Sequence, residues 1–397
     1  MKSRPARSQN VSFDDTEIAF RRKTDADLNR AYWLFKIISI NFLTRIGPPI
    51  TNIAFKLGLP IKSLIKSTIF RHFCGGESIE ECEYTVAKLA MGGVGSILDY
   101  SVEGEDDEQT FDSTSEEILK TVKNAEGDDR IPLTVFKLTG LGHFSLLEKV
   151  NNSVALETAE ASAYQRIIQR VNRICNLAHQ LNVGVMIDAE ESWIQGAIDS
   201  IALEMMRRYN QEQAIVFNTY QLYRTDKLES LKVDTKIAIS EGFILGAKLV
   251  RGAYLEKERA RAIEHAYPSP IHADKVSTDA DYDAALSFCI EKIHTLSFIA
   301  GTHNEASCRK LVDLLHKEGI PENHNHVYFS QLLGMSDNLS FNLAAAGYHV
   351  VKYVPYGPVK AVMPYLFRRA EENTSVAGQM SRELRLIAQE IKRRKLK

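Results

Sequence analysis

The sequence predicts an α/β fold: a (βα)8 barrel preceded by a helical arm. Three observations carry this. Eight short β-rich runs recur over about 280 residues, each followed by a helical pattern. The runs are almost continuously apolar instead of alternating, as parallel strands covered on both faces are. Most polar residues of chemical interest sit at the C-terminal ends of the runs, the end that forms the active-site face of such a barrel.

In order, the runs are VGSILDYSVE (94–103), LTVFKLTG (133–140), VGVMIDAE (183–190), AIVFNTY (214–220), GAKLVRGAY (246–254), FIAGTHN (298–304), HVYFSQLLG (326–334) and HVVKYVPYG (349–357). Helical patterns at 159–181, 191–209, 279–296 and 305–319 lie between them. Asp188, Tyr220, Tyr254, His303 and Tyr353 fall at strand ends, with Lys137 slightly earlier. Residues 1–92 read as the arm and lead-in, 93–373 as the barrel, and 374–397 as a helical tail whose basic end complements the helix dipole.

The last unit is the most telling. In KYVPYGPVKAVMPYLFRRAEEN (352–373), Pro355 and Gly357 end the strand, and Pro358 suits the first position of a helix. At about 100° per residue, Val359, Val362, Met363, Leu366 and Ala370 share one stripe. Tyr365, Arg368, Arg369 and Glu372 share the next. An isolated Arg pair is usually surface charge. Two guanidinium forks beside a buried face at a strand end instead suit a carboxylate or a phosphate.

A chain of 397 residues with 44% hydrophobic and 25% charged residues is globular. A net charge of −2 gives no drive toward nucleic acid. Five cysteines, none spaced CxxC, imply reduced thiols and no zinc. The HNH at 324–326 lacks further ligands at metal spacing, so no metal is expected. GVGSIL and GLGHF each lack a glycine of the dinucleotide fingerprint, which disfavours a Rossmann nicotinamide enzyme. The basic N-terminus is followed by no apolar stretch, so no secretory signal and no spanning helix are expected. Residues 28–76 hold seven Lys and Arg and no acid, interleaved with aromatics. That pattern suits either an anionic membrane surface or an arm packed on the barrel. The eight acidic groups of 103–117 read as a solvated loop.

Several motifs together resemble the proline dehydrogenase family: KYVPYGPVKAVMPYLFRRAEEN, GAKLVRGAYLEKERARA (246–262), THN (302–304), FSQLLGM (329–335), IDAEE (187–191) and VFNTYQ (216–221). The resemblance spans residues 94–373 and is to the monofunctional, mitochondrial-like branch. It implies a distorted version of the barrel and non-covalent FAD across its mouth. It implies oxidation of L-proline to Δ1-pyrroline-5-carboxylate by hydride transfer from C5 to flavin N5. Lys248, where larger bacterial members carry Arg, would lie near N5. Ala189, Asn218, Arg251, Gly252, Ala253, Thr302, His303 and Glu372 would complete the cofactor set. Arg368 and Arg369 would hold the substrate carboxylate with Lys137, while Tyr254, Leu332, Tyr353 and Tyr365 wall in the ring. Asp188 would pair with a cation and orient the site. A membrane quinone would reoxidise the flavin, with the protein peripheral at the inner face of a bacterial membrane or in the mitochondrion. The alternatives are a hydroxyproline dehydrogenase and a Schiff-base aldolase using Lys137 or Lys248.

Overall fold

A strand covered on both faces must be apolar or satisfy its polar groups internally. In the computed structural model, which describes residues 11–38, 61–102, 106–375 and 379–395, the two longest-buried strands do both. VFNTYQ and VVKYVPY are buried at every position. Eight parallel strands close into a barrel in sequence order: β1 (Val94–Tyr100), β2 (Leu133–Phe136), β3 (Gly184–Ile187), β4 (Val216–Gln221), β5 (Leu245–Val250), β6 (Leu296–Gly301), β7 (Val327–Leu332) and β8 (Val350–Tyr356). All eight runs read from the sequence are strands. Four of them stop a few residues early, because 137–140, 188–190, 251–254 and 302–304 leave the ladder, whereas β4 runs one residue further, to Gln221. Those released segments carry most of the polar strand-end residues.

The helices follow the expected pattern: Thr158–Leu181, Ser192–Tyr209, Lys275–Glu291 and Glu305–Lys317. Two expectations need correction. The helix after β8 is Met363–Ser375, not one begun at Pro358. Pro358–Val362 instead forms a turn, in which Ala361 N and Val362 N both donate to the Pro358 carbonyl. Pro364 then sits in the first turn, where its missing N–H costs nothing. The acidic stretch is largely helix, Glu108–Asn124, because Asp107 caps it through Thr110 N at 2.9 Å and Phe111 and Ile118 turn inward.

The chain falls into two compact units, one from Met1–Ser96, Ser101–Glu103 and Gln331–Lys397, the other from Ile97–Tyr100 and Gly104–Ser330. Within the first, Phe20, Leu28, Phe35, Phe70, Phe73, Leu366, Leu386 and Ile387 build one core. This explains half of the basic, aromatic arm: Phe35 and Phe70 are core residues. Its cations are also neutralised from outside the stretch. Arg30 pairs with Asp27, Lys62 with Glu77, and Lys66 with Glu77 and Glu81. Trp33, Ile37 and Leu64 remain exposed, and Lys36 lies over the Trp33 ring. Phe42, Arg45, Phe55 and Lys56 lie outside the described residues. At the other end, Arg393 and Arg394 both bind the buried Glu390, a stronger tie than the helix dipole alone.

Candidate active site

Alternation along β4 and β5 decides which side chains face the barrel lumen. Thr219 stands beside Lys248 in register, and Lys248 reaches across to Asp188 just after β3. Asp188 accepts from Lys248 Nζ at 2.5 Å and from Lys137 Nζ at 3.0 Å, one lysine on each carboxylate oxygen. Burial by itself would raise the Asp188 carboxyl. The charges of Lys248 and Lys137 overcome it and hold the group well below the usual carboxylate range. Burial, against the pull of Asp188 and with the push of Lys137, lowers Lys248. Lys137, whose side chain is 37% exposed, is raised by Asp188 and Asp99 despite its desolvation. Asp99 acts on both lysines as well, so the two cations here are balanced by two carboxylates.

Beside it lies Glu190, which the sequence reading passed over. Its carboxylate accepts from Thr139 N at 3.1 Å and from the Thr139 hydroxyl. Burial pushes its pKa up to about 7. Burial and the neighbouring Glu190 raise the Tyr254 phenol, which ends the turn after β5. Ala189 is buried.

The turn at Arg251–Tyr254 and the one at Thr302–Asn304 form a second group. Gly252 has φ +139°, and a Cβ there would lie 2.4 Å from the Tyr223 ring, so only glycine fits. Ala253 N donates to Gln221 Oε1 at 3.3 Å. The Arg251 guanidinium is held on four sides: by Asp279 at 2.6 Å, Thr302 Oγ1 at 2.8 Å, Ser307 Oγ at 3.0 Å and the Tyr282 ring at 4.4 Å. His303 is half-buried next to Thr302. The N-terminal donors of the Glu305–Lys317 helix are taken by Asn304, which accepts from Ala306 N at 2.9 Å and Ser307 N at 3.2 Å. What this turn offers an anionic dinucleotide such as FAD is the rest of the fixed Arg251 fork beside the close-packed Gly252 backbone.

Asn218 does not join this group. Its amide donates to Asp199 at 2.9 Å on the Ser192–Tyr209 helix, outside the strand layer. Tyr220 likewise turns outward to Asp234 at 2.7 Å. The lumen-facing carboxamide is Gln221, which donates to the Glu190 carbonyl at 2.7 Å. The alternation within VFNTYQ, once anchored on Lys248, is the signal that separates them.

The first unit holds the other candidates. Tyr353 on β8 and Tyr365 are buried, and so is Arg369, whose guanidinium carbon lies 5.3 Å from the Tyr365 ring centre. Arg368 is half-buried, and Leu332 packs on that unit's core. The side chain of Glu372 lies outside the described residues. No group of three or more His, Cys, Asp or Glu side chains suited to a metal occurs among the described residues, and none of their helices is long and apolar enough to cross a membrane.

Comparison with known proteins agrees with this arrangement. The family profile described as "Proline dehydrogenase" matches residues 82–382. "Proline dehydrogenase 1, mitochondrial" of Dictyostelium discoideum is 32% identical, covering 98% of this chain and 76% of that protein. "Hydroxyproline dehydrogenase" of Xenopus laevis is 30% identical, covering 97% and 90%. Among solved structures, proline utilization A (PutA) from Bdellovibrio bacteriovorus, inactivated by N-propargylglycine, shares the fold at a TM-score of 0.71 and 21% identity. That match covers 94% of this chain but only 40% of the other. With three-quarters of its length matched by the family profile, the chain belongs to the proline dehydrogenase family.

Proposed function

We propose that this protein oxidises L-proline to Δ1-pyrroline-5-carboxylate with non-covalently bound FAD. The observation that carries the reading is the buried Lys137–Asp188–Lys248 group: two ammonium groups fixed by one carboxylate at strand ends. FAD, when bound, would supply the two-electron oxidant for loss of a hydride from proline C5, and a quinone would take the electrons on. The chain's own residues supply position and charge. Lys248, its direction fixed by Asp188, would offer its ammonium to the flavin ring. Arg251, the Gly252–Ala253 backbone, Thr302 and His303 would hold the rest of the cofactor, together with Glu372, and Gln221 is a better candidate than Asn218. In the first unit, Arg368 and Arg369 are the groups suited to the substrate carboxylate, and Leu332, Tyr353 and Tyr365 those suited to its ring. In the second, Lys137 and Tyr254 are suited to the same two roles. Glu190 is the member of this set that changes charge near neutrality, and its ionised form offsets Lys137.

Quinone access supports a peripheral membrane location, at the inner face of a bacterial membrane or at the mitochondrial inner membrane. Trp33, Ile37 and Leu64, exposed with Lys36 among them, are the residues available for such contact. A second reading, hydroxyproline as the substrate, rests on the near full-length match to the Xenopus protein.

The test is turnover of each imino acid by purified protein with an artificial electron acceptor. Proline turnover well above that of 4-hydroxyproline is expected. The reverse ranking favours the second reading. Borohydride trapping of a keto acid on Lys137 or Lys248, in protein without flavin, would overturn both.

A further inference from the structure

The first unit contains a buried ionic network that the reaction as described does not use. Lys352, on β8, has no solvent exposure. Its ammonium donates to the Leu332 carbonyl at 3.3 Å, the Met335 carbonyl at 2.6 Å and Asp337 Oδ1 at 2.6 Å. The other Asp337 oxygen takes Lys23 at 2.8 Å. Glu383 accepts from Ser336 N at 3.1 Å. His72 Nε2 meets the Gly334 carbonyl at 2.8 Å. Burial, with the Lys23 charge nearby, keeps that ring neutral, so its N–H is the donor. Every one of these bonds ends on the six residues from Leu332 to Asp337.

The loop needs such a hold. Gly334 has φ +79°, and a Cβ there would fall 2.4 Å from the His72 carbonyl. Ser336 has φ +51°, a conformation a non-glycine residue keeps only when its surroundings impose it. For cohesion alone, an apolar residue at position 352 would serve as well, because burying an ammonium is expensive even when it is paired. The bonds also fix something specific. Leu333 N donates to the Tyr353 carbonyl at 2.9 Å. Lys352 therefore ties the loop to β8 one residue from Tyr353, and it does so through the backbone of Leu332.

We infer that Lys352 is a positioning residue for substrate selection: its ammonium sets the spacing between Leu332 and Tyr353, and so the room left at the ring edge of the substrate. The inference rests on the proline reading above. Lys352→Met keeps the length and apolar volume of the side chain and leaves Asp337 paired with Lys23. It should raise KM for L-proline roughly tenfold, within the ~10²-fold that a 1 Å misplacement costs. It should also narrow the preference for proline over 4-hydroxyproline, with flavin content unchanged. Asp337→Asn, which leaves Lys352 its two carbonyl partners, should shift the same ratio in the same direction by less, and it carries the test if Lys352→Met does not fold. A variant with normal KM and an unchanged substrate ratio, altered only in Tm, would overturn the inference while leaving the proline reading intact. Absence of proline turnover by the wild type would overturn the reading and the inference together.

Discussion

Asp188→Asn removes one negative charge from between the buried Lys248 ammonium and the partly exposed Lys137 one without changing side-chain shape. Breaking a buried pair by removing one partner costs about 3–5 kcal/mol, because the other charge is left uncompensated. Asp188 and Lys248 have side chains 12% and 8% exposed, so the bond between them belongs to that class. Lys137 is 37% exposed and can turn toward water, so its share is screened. The loss should therefore sit at the low end, about 3 kcal/mol. Denaturant unfolding at fixed FAD concentration reads it out, for wild type, Asp188→Asn, Lys248→Met and the double variant. The double variant should cost less than the sum of the single ones by about 1–3 kcal/mol. The pH dependence has a defined sign. The folded carboxyl lies below its ordinary value, so the stability it gives is present above the ordinary carboxylate range and is lost as pH falls. Wild type and Asp188→Asn should converge on acidification. Additive costs, or a gap constant down into the acid range, would refute the pairing as the source of the stability.

Glu190 should behave oppositely. Its pKa rises from 4.5 to about 7, so the stability tied to its proton is present below the ordinary value and lost as pH rises through 7. Glu190→Gln should match wild type at pH near 5 and exceed it at pH near 8, by at most about 3 kcal/mol for a shift of this size; equal Tm values at both pH values would remove burial as the cause. Arg368→Met or Arg369→Met should each lower kcat/KM by roughly 30- to 4000-fold, the equivalent of about 2–5 kcal/mol, with FAD retained; near-normal turnover would dismiss them as carboxylate ligands. Tyr353→Ser should lower kcat/KM for proline and narrow the gap to 4-hydroxyproline, and an unchanged ratio would take the ring wall away from that residue. Replacing Trp33 and Ile37 together by Ser should weaken cosedimentation with anionic vesicles at low salt, whereas equal binding would leave the arm as packing alone.

The barrel was legible because its signal is local. Most strands are short apolar-rich runs bounded by polar or Gly/Pro breaks, and several helices carry their own cap, as Asp107, Asp274 and Asn304 do. Lys137, Asp188 and Lys248 were legible as polar residues at strand ends, although their shared hydrogen bonds join positions more than 50 residues apart. What escaped was of three kinds. Side-chain facing at Asn218 and Tyr220 hinges on a one-residue alternation that a short strand conceals when both its faces are buried and both carry polar residues. The helix start at Met363 was missed because Pro358 fits a turn as well as a helix. The Lys352–Asp337–Lys23 network unites residues from β8, the start of the Asp337–Ala346 helix and the N-terminal arm, and only the tertiary fold reveals a lysine inside a strand as buried and bonded.

The central claim is that this chain holds a flavin and passes electrons to it from L-proline. Anaerobic addition of L-proline to the purified protein, followed in the visible spectrum, tests this most directly. A yellow protein should lose its flavin absorption on mixing and recover it when a quinone is added, and acid denaturation should release all of the flavin into the supernatant. A colourless protein, a flavin band untouched by saturating proline, or flavin left in the precipitate would each contradict the account.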